Sequence, residues 1–258
     1  MKRLASLVAI ALFVVSPLSG YSQDDDFPVL KGPYLGLKPP GMTPELFAPG
    51  IVPTEANEAL YGFFHDGTLF LFDRTPADLE EWTPAVYRME LKDGKWTPPN
   101  ASPYQGKHWY NYYTTAPEGE QVYFAWKGSP GDRTSSADLN IWRVRKTGEG
   151  WTEPRKLPSP VNSMELDTYP KVTEDGTLYF FSNREGGFDL YVTFKKFDGT
   201  WTKPVNMGKG INTSAYDWVP HVTPDGKYFF FNSTRSGSWD IYWVDAKVIH
   251  NLKPEDLD

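Results

Sequence analysis

Three acidic residues occupy the same place in an internal repeat. Glu58, Asp167 and Asp217 each stand eight positions before the Asp of an Asp-Gly pair: Asp66-Gly67, Asp175-Gly176 and Asp225-Gly226. Carboxylates gathered at one mouth could hold a hard cation such as Ca²⁺ through oxygen ligands. They could also bind sugar hydroxyls, or work as acid and base on a glycosidic bond. The same residues suit a structural task, because an Asp ahead of a strand caps a turn by accepting backbone N–H bonds. In the remaining repeat the position falls on Tyr110 or Asn111, beside His108, Trp109, Tyr112 and Tyr113. Those aromatics could stack on sugar rings or pack into the core. The candidate binding residues are therefore Glu58, Asp167, Asp217, His108, Trp109 and Tyr110. No catalytic residue is assigned and no cofactor is expected apart from the Ca²⁺ option.

Other chemistry finds little support. The four histidines, His65, His108, His221 and His250, lie at no metal-ligand spacing. No His-Glu-x-x-His, no Gly-x-Ser-x-Gly and no phosphate-binding glycine loop occurs. Asp189 and Asp240 pair by repeat position with Arg184 and Arg235. Each pair could build an anion site or an ion pair internal to the repeat.

The elements that must position these residues come from the repeat itself. Trp96-Thr97-Pro98-Pro99, Trp151-Thr152-Glu153-Pro154 and Trp201-Thr202-Lys203-Pro204 recur at spacings of 55 and 50 residues. Each Asp-Gly pair, with Glu118-Gly119 in the second repeat, precedes an aromatic-rich run, at 68–72, 121–125, 177–181 and 227–231. A further run follows at 86–89, 141–144, 190–193 and 241–244. These runs are short, β-branched or aromatic, and bounded by Gly, Pro, Asn and Asp, so they read as strands. Asp-Gly supplies the positive φ of a tight hairpin turn, and the repeated Trp residues read as outer-strand packing.

Four antiparallel strands per repeat make one blade of a β-propeller. The expected fold is all-β, with four four-stranded blades, five blades being the alternative. The innermost strands would open at Glu58, Asp167 and Asp217, next to a central channel. The last repeat lacks its Trp-Thr-x-Pro strand, and Met42-Thr43-Pro44-Glu45-Leu46 is expected to supply it, closing the ring and covering two sheet edges. The expected divisions are a signal peptide over 1–22, an extended segment over 23–41, the propeller over 42–250 and a tail over 251–258. Residues 246–257 are the one modest helix candidate.

Composition narrows the setting. With 33 acidic against 26 basic residues and a net charge of −7, the chain has no general attraction for nucleic acid or anionic membranes. Its lack of cysteine removes disulfides, thiolate catalysis and cysteine zinc sites. Lys2 and Arg3 precede an apolar run over 4–15 and the small-residue exit Ser16-Pro17-Leu18-Ser19-Gly20, the pattern of a cleaved secretory signal. That run is too short for a comfortable membrane span. The mature chain is expected to start at Gln23, to be exported to the periplasm or beyond, and to be monomeric.

The last two repeats carry a longer signature. Tyr169-Pro170-Lys171-Val172-Thr173-Glu174-Asp175-Gly176 leads to Ser182-Asn183-Arg184 and then Phe188-Asp189-Leu190-Tyr191. The second copy runs Val219-Pro220-His221-Val222-Thr223-Pro224-Asp225-Gly226, then Ser233-Thr234-Arg235 and Trp239-Asp240-Ile241-Tyr242. This resembles the TolB-type, WD-repeat-like propeller repeat of exported bacterial proteins, most closely over 160–246, less over 45–100 and least over 105–145. There Glu118 replaces the turn Asp, and Ala125-Trp126-Lys127-Gly128 replaces Ser-Asn-Arg. The resemblance implies a propeller, an exported setting and a binding or scaffolding role; the repeat specifies no reaction. The expected function is non-catalytic binding of a protein, peptide or glycan on one face of the ring. The alternatives are a glycoside hydrolase or polysaccharide lyase using Glu58, Asp167 and Asp217, or an envelope component that only presents loops.

Overall fold

Alternating aromatic runs with glycine turns between them fold into four antiparallel sheets, arranged as the blades of a propeller ring. The computed structural model describes residues 27–65, 67–77, 84–103, 113–115, 119–126 and 139–257. The proposed signal segment, Asp66, His108, Trp109 and Tyr110 lie outside the described residues.

Strand β1 (Glu45–Leu46) comes first in the chain but belongs to the last blade. Blade one contains β2 (Asn57–Phe64), β3 (Leu69–Thr75), β4 (Ala85–Lys92), β5 (Lys95–Trp96) and β6 (Asn100–Ala101). Blade two contains β7 (Tyr113–Thr115), β8 (Gln121–Trp126), β9 (Asn140–Thr147), β10 (Gly150–Trp151) and β11 (Arg155–Lys156). Blade three is β12 (Asp167–Val172), β13 (Leu178–Ser182), β14 (Asp189–Thr193) and β15 (Val205–Asn206). Blade four is β16 (Asp217–Val222), β17 (Tyr228–Ser233) and β18 (Asp240–Asp245), with β1 pairing against β18 as its outer strand. The ring is thus closed by the N-terminal segment, as expected. The C-terminal helix is shorter than the sequence suggests, a single turn α1 (Lys247–His250).

The outer strand differs from the expectation. In blades one and two it is broken into two short pieces, β5 with β6 and β10 with β11, on either side of the Trp-Thr-x-Pro proline. Proline donates no backbone hydrogen bond, so the ladder cannot run through it. The threonine restores the lost bond. Thr97 N–H donates to Glu90 O at 2.9 Å while its Oγ1 accepts Glu90 N–H at 3.0 Å. Thr152 does the same with Arg145 (2.8 and 3.0 Å), and Thr202 with Phe194 (2.9 and 3.1 Å). Trp96 and Trp201 are buried, and their indole N–H groups donate to Gly32 O and Gly176 O. Trp151 departs from this packing role and is 52% exposed.

Side chains lock the seams between blades. Phe47, directly after β1, is fully buried and meets Phe63 and Phe70 of blade one and Phe230 and Trp243 of blade four, ring edges against faces. Asn162 Oδ1 accepts the N–H of Ile141 in the preceding blade at 2.8 Å, and Asn212 repeats this with Leu190 at 2.9 Å. At the closing seam Asn232 binds Leu60 N–H and Glu58 O of blade one. These amides satisfy buried backbone groups that no strand partner reaches.

Thr202→Val keeps the side-chain shape but leaves the buried Phe194 N–H without its partner. The variant is expected to lose about 1–3 kcal/mol of unfolding free energy in urea denaturation. An unchanged midpoint would show that the hydroxyl is not what holds the outer strand.

Candidate functional site

The three acidic residues sit at the ends of matching loops: Val52-Pro53-Thr54-Glu55-Ala56-Asn57-Glu58, Val161-Asn162-Ser163-Met164-Glu165-Leu166-Asp167 and Ile211-Asn212-Thr213-Ser214-Ala215-Tyr216-Asp217. Each carboxylate is buried, and each turns back onto its own loop. Asp167 Oδ2 accepts the Ser163 N–H (2.6 Å) and hydroxyl (2.8 Å). Asp217 Oδ2 accepts the same two groups of Thr213 at 2.7 and 2.9 Å. Glu58 Oε1 accepts the Thr54 hydroxyl at 2.5 Å. The small hydroxyl residue four positions ahead of the acid, overlooked when the acids are read alone, is the sequence sign of this loop.

An arginine closes each loop. Arg184 Nη2 donates to Asp167 Oδ1 at 2.5 Å, and Arg235 Nη2 to Asp217 Oδ1 at 2.8 Å. Arg74 Nε lies 3.3 Å from Glu58 Oε1. The arginines therefore pair with Asp167 and Asp217, and not with Asp189 and Asp240 as repeat position suggests. Asp240 accepts from Ser236 and Ser238, and Asp189 from Asn206. Each guanidinium also donates to a loop carbonyl: Val52 O, Val161 O or Ile211 O. Each lies over a cross-strand Phe–Tyr pair, Phe72 with Tyr87, Phe180 with Tyr191 or Phe231 with Tyr242. A cation over two ring faces gains from their quadrupoles.

Blade one departs from the others. Its arginine is two residues beyond the ring, Phe72 to Arg74, where blades three and four use a four-residue reach. Glu58 Oε2 has no hydrogen-bond partner among the described residues. Burial pushes the Glu58 carboxyl up to about 7, outweighing the lowering effects of Thr54 and Arg74. Burial likewise pushes the neighbouring Asp73 up to about 7. Among the described residues, no three His, Cys, Asp or Glu side chains are grouped to hold a metal ion.

A concave site lies beside the acids. A cavity of about 290 Å³ is lined by Leu139, Leu166, Thr168, Tyr169 and Phe181, and by Phe188, Tyr216, Trp218 and Trp239. It follows the seams, because the residue before each third strand bonds the opening of the next innermost strand. Asp167 N–H donates to Leu139 O, Asp217 N–H to Phe188 O and Glu58 N–H to Trp239 O. Trp218 and Trp239 meet edge to face at 5.0 Å, and the rings of Phe188 and Tyr216 lie 4.9 Å apart. Phe188 and Tyr216 are 39% and 54% exposed, forming the rim. No charged side chain is among these lining residues.

The innermost strands are bulged where they pass the pocket. Thr168 faces Phe181 and Lys171 faces Tyr179, so Tyr169 and Pro170 oppose the single residue Phe180. Val219 and Pro220 repeat this against Phe231. Tyr169 and Val219 have φ of 52° and 53°, a strained region for side chains of these shapes. Beyond the bulges, His221 Nε2 accepts the Phe63 N–H at 3.2 Å, so its proton sits on Nδ1. Burial, and then the charge of Lys171, holds His221 well below its usual range, and burial lowers Lys171 to about 8. A Cβ at Gly62 would come within 2.3 Å of the His221 ring, so this glycine makes room for it.

A carboxyl with a raised pKa supports the fold fully below its unfolded value of about 4.5 and loses that contribution as pH rises through about 7. Glu58→Gln is neutral at every pH. Its unfolding free energy relative to wild type should therefore improve as pH rises from about 5 to about 8, measured by denaturant titration. A difference that does not change with pH would contradict the burial of this acid.

No protein-family model matches the chain, and no curated protein does either. Among solved structures, a putative TolB from Agrobacterium tumefaciens is similar at 18% identity and TM-score 0.37, over 73% of this chain and 60% of that one. The periplasmic gluconolactonase of Pseudomonas aeruginosa is similar at 14% identity and TM-score 0.35, over 77% of this chain and 52% of that one. An oligogalacturonate lyase in complex with manganese is similar at 18% identity and TM-score 0.34, over 80% and 68%. The chain thus spans 60% of the TolB-like chain and 52% of the gluconolactonase.

Proposed function

We propose that the chain is an exported, non-catalytic binding module that captures a protein or peptide at the aromatic pocket. The observation that carries this reading is the pocket itself, with half-exposed rings at its rim and no charged side chain among its described lining residues. Partly exposed apolar concavities of this kind mark binding sites, and large rigid aromatics supply much of the contact energy at interfaces. Export rests on Lys2, Arg3 and the apolar run over 4–15. Among the described residues, no helix is long and apolar enough to cross a membrane.

The glycan-active alternative asks more of the acids than their surroundings give. A glycosidase needs one carboxyl free to donate a proton and a second free to attack or to activate water. Both oxygens of Asp167 and of Asp217 already accept bonds from loop and arginine donors. Glycan recognition also calls for several polar groups around a sugar ring, and the pocket walls are mostly hydrocarbon.

Selection from a random-peptide display library tests the reading. Enriched peptides should share an aromatic or large apolar residue, and the folded double variant Phe188→Ala/Tyr216→Ala should lose at least tenfold in affinity for them, on the order of 1.4 kcal/mol. Equal binding by the double variant would move the site elsewhere on the ring.

A further inference from the structure

Two innermost strands carry one motif with a single exchange, Pro170-Lys171-Val172 on β12 and Pro220-His221-Val222 on β16. The exchange changes what the residue can offer the next blade. A lysine ammonium only donates, whereas a neutral imidazole accepts through one of its nitrogens. His221 Nε2 accepts the Phe63 N–H at 3.2 Å, so an imidazole ties blade four to blade one where the ring closes. Asn232 also bridges this seam, to Leu60 N–H and Glu58 O, and Asn57 Oδ1 accepts the Trp239 N–H. Those amides do not titrate, and His221 does.

A nitrogen that accepts a hydrogen bond cannot also carry a proton, so protonating Nε2 breaks the bond to Phe63. The ring is 4% exposed, and it fits only because Gly62 lacks a Cβ, which would lie 2.3 Å away. Its surroundings oppose an imidazolium. Among the described residues, the charge that acts on it is that of Lys171 on β12, which has the same sign. Phe63 and Phe64 of β2 approach it, and Phe230 of β17 stands opposite it in the ladder, all without charge. The acids before and after it in the chain are already held, Asp217 by Arg235 and Asp225 by Tyr34 and Lys227. Among the described residues, no carboxylate forms an ion pair with His221.

We infer that His221 is an acid-sensitive lock on the closing seam: on taking up a proton it releases Phe63 and lets blades four and one part. The inference does not depend on what the pocket binds. Trp239 holds the same seam by accepting the Glu58 N–H and also lines the pocket, so the parting loosens one pocket wall. Burial, then Lys171, holds His221 well below its usual value of 6.5. The neutral lock therefore contributes fully above that value, and its contribution falls as pH drops toward the folded value. Glu58 and Asp73 work in the opposite direction, because their raised carboxyls gain protons and support blade one as pH falls through about 7.

Amide hydrogen exchange of the full-length protein, read by NMR between about pH 6.5 and about pH 4.5, tests the lock at the Phe63 amide. The Leu190 amide, which Asn212 holds in the seam between blades three and four, is the reference. The comparison variant is His221→Gln, whose side-chain oxygen can accept the same N–H and does not titrate. Protection of Phe63 relative to Leu190 should fall in wild type, against the variant, by up to about tenfold per pH unit, the effect of one proton. An equal pH response in wild type and His221→Gln would overturn the inference. A parallel loss at Phe63 and Leu190 would overturn it too, because it marks unfolding of the whole ring. Should His221→Gln fail to fold, the ring-nitrogen signals of wild-type His221 decide: they must show the proton on Nδ1 at the upper pH and titrate together with the loss of Phe63 protection. Titration of His221 with Phe63 protection unchanged would overturn the lock.

Discussion

The ring depends on a buried charge pair repeated in three of its blades. A loop crossing from one blade to the next must enter the ring at its mouth, where few strand partners are available for its backbone. The carboxylate at the loop's end gathers the loop's own hydroxyl, and in blades three and four its N–H as well. The arginine then neutralises that carboxylate and reaches the loop carbonyls, while the Phe–Tyr pair supports the guanidinium from below. Removing water from two opposite charges is unfavourable unless their remaining hydrogen-bonding positions are filled. Asp167 and Asp217 meet that condition. Glu58 does not meet it fully: its Oε2 has no partner among the described residues, and burial raises its pKa.

Fixing the loops also builds the pocket. Leu166 and Tyr216 directly precede the acids, and Thr168 and Trp218 directly follow them. The latches at Asp167 and Asp217 thus each set the position of two wall residues. The bulges at Tyr169-Pro170 and Val219-Pro220 store backbone strain beside the same wall, a cost of roughly 1–3 kcal/mol for each such residue. Strain is tolerated there because neighbouring strands and the aromatic core over-determine the backbone. The acids are the frame, and the aromatics line the cavity beside it.

Much of the fold was legible in the chain. The four aromatic runs, the Asp-Gly turns and the missing last Trp-Thr-x-Pro strand together led to four blades closed by residues 45–46. The broken outer strand was legible in principle, since a proline two residues after Thr97 and Thr152 must interrupt a ladder. The partner of each arginine was not. Repeat position places Asp189 close to Arg184 in sequence, but strand register brings Asp167 opposite Ser182, two residues from that arginine. Residues Leu166, Phe188, Tyr216 and Trp239 were equally hidden. Their shared cavity exists only once neighbouring blades meet, and each reads alone as an ordinary apolar residue beside a turn.

The central claim is that the repeated acids serve the fold through their arginines. A double-mutant cycle on Asp217→Asn and Arg235→Met tests it most directly, with unfolding free energies measured for wild type, both single variants and the pair. A structural latch predicts that each single change is strongly destabilising, by about 3–5 kcal/mol. The double variant should then be far less unstable than the sum, with a coupling on the order of 1–3 kcal/mol. Additive losses with no coupling would contradict the account and return Asp217 to the candidates for a direct role in ligand chemistry.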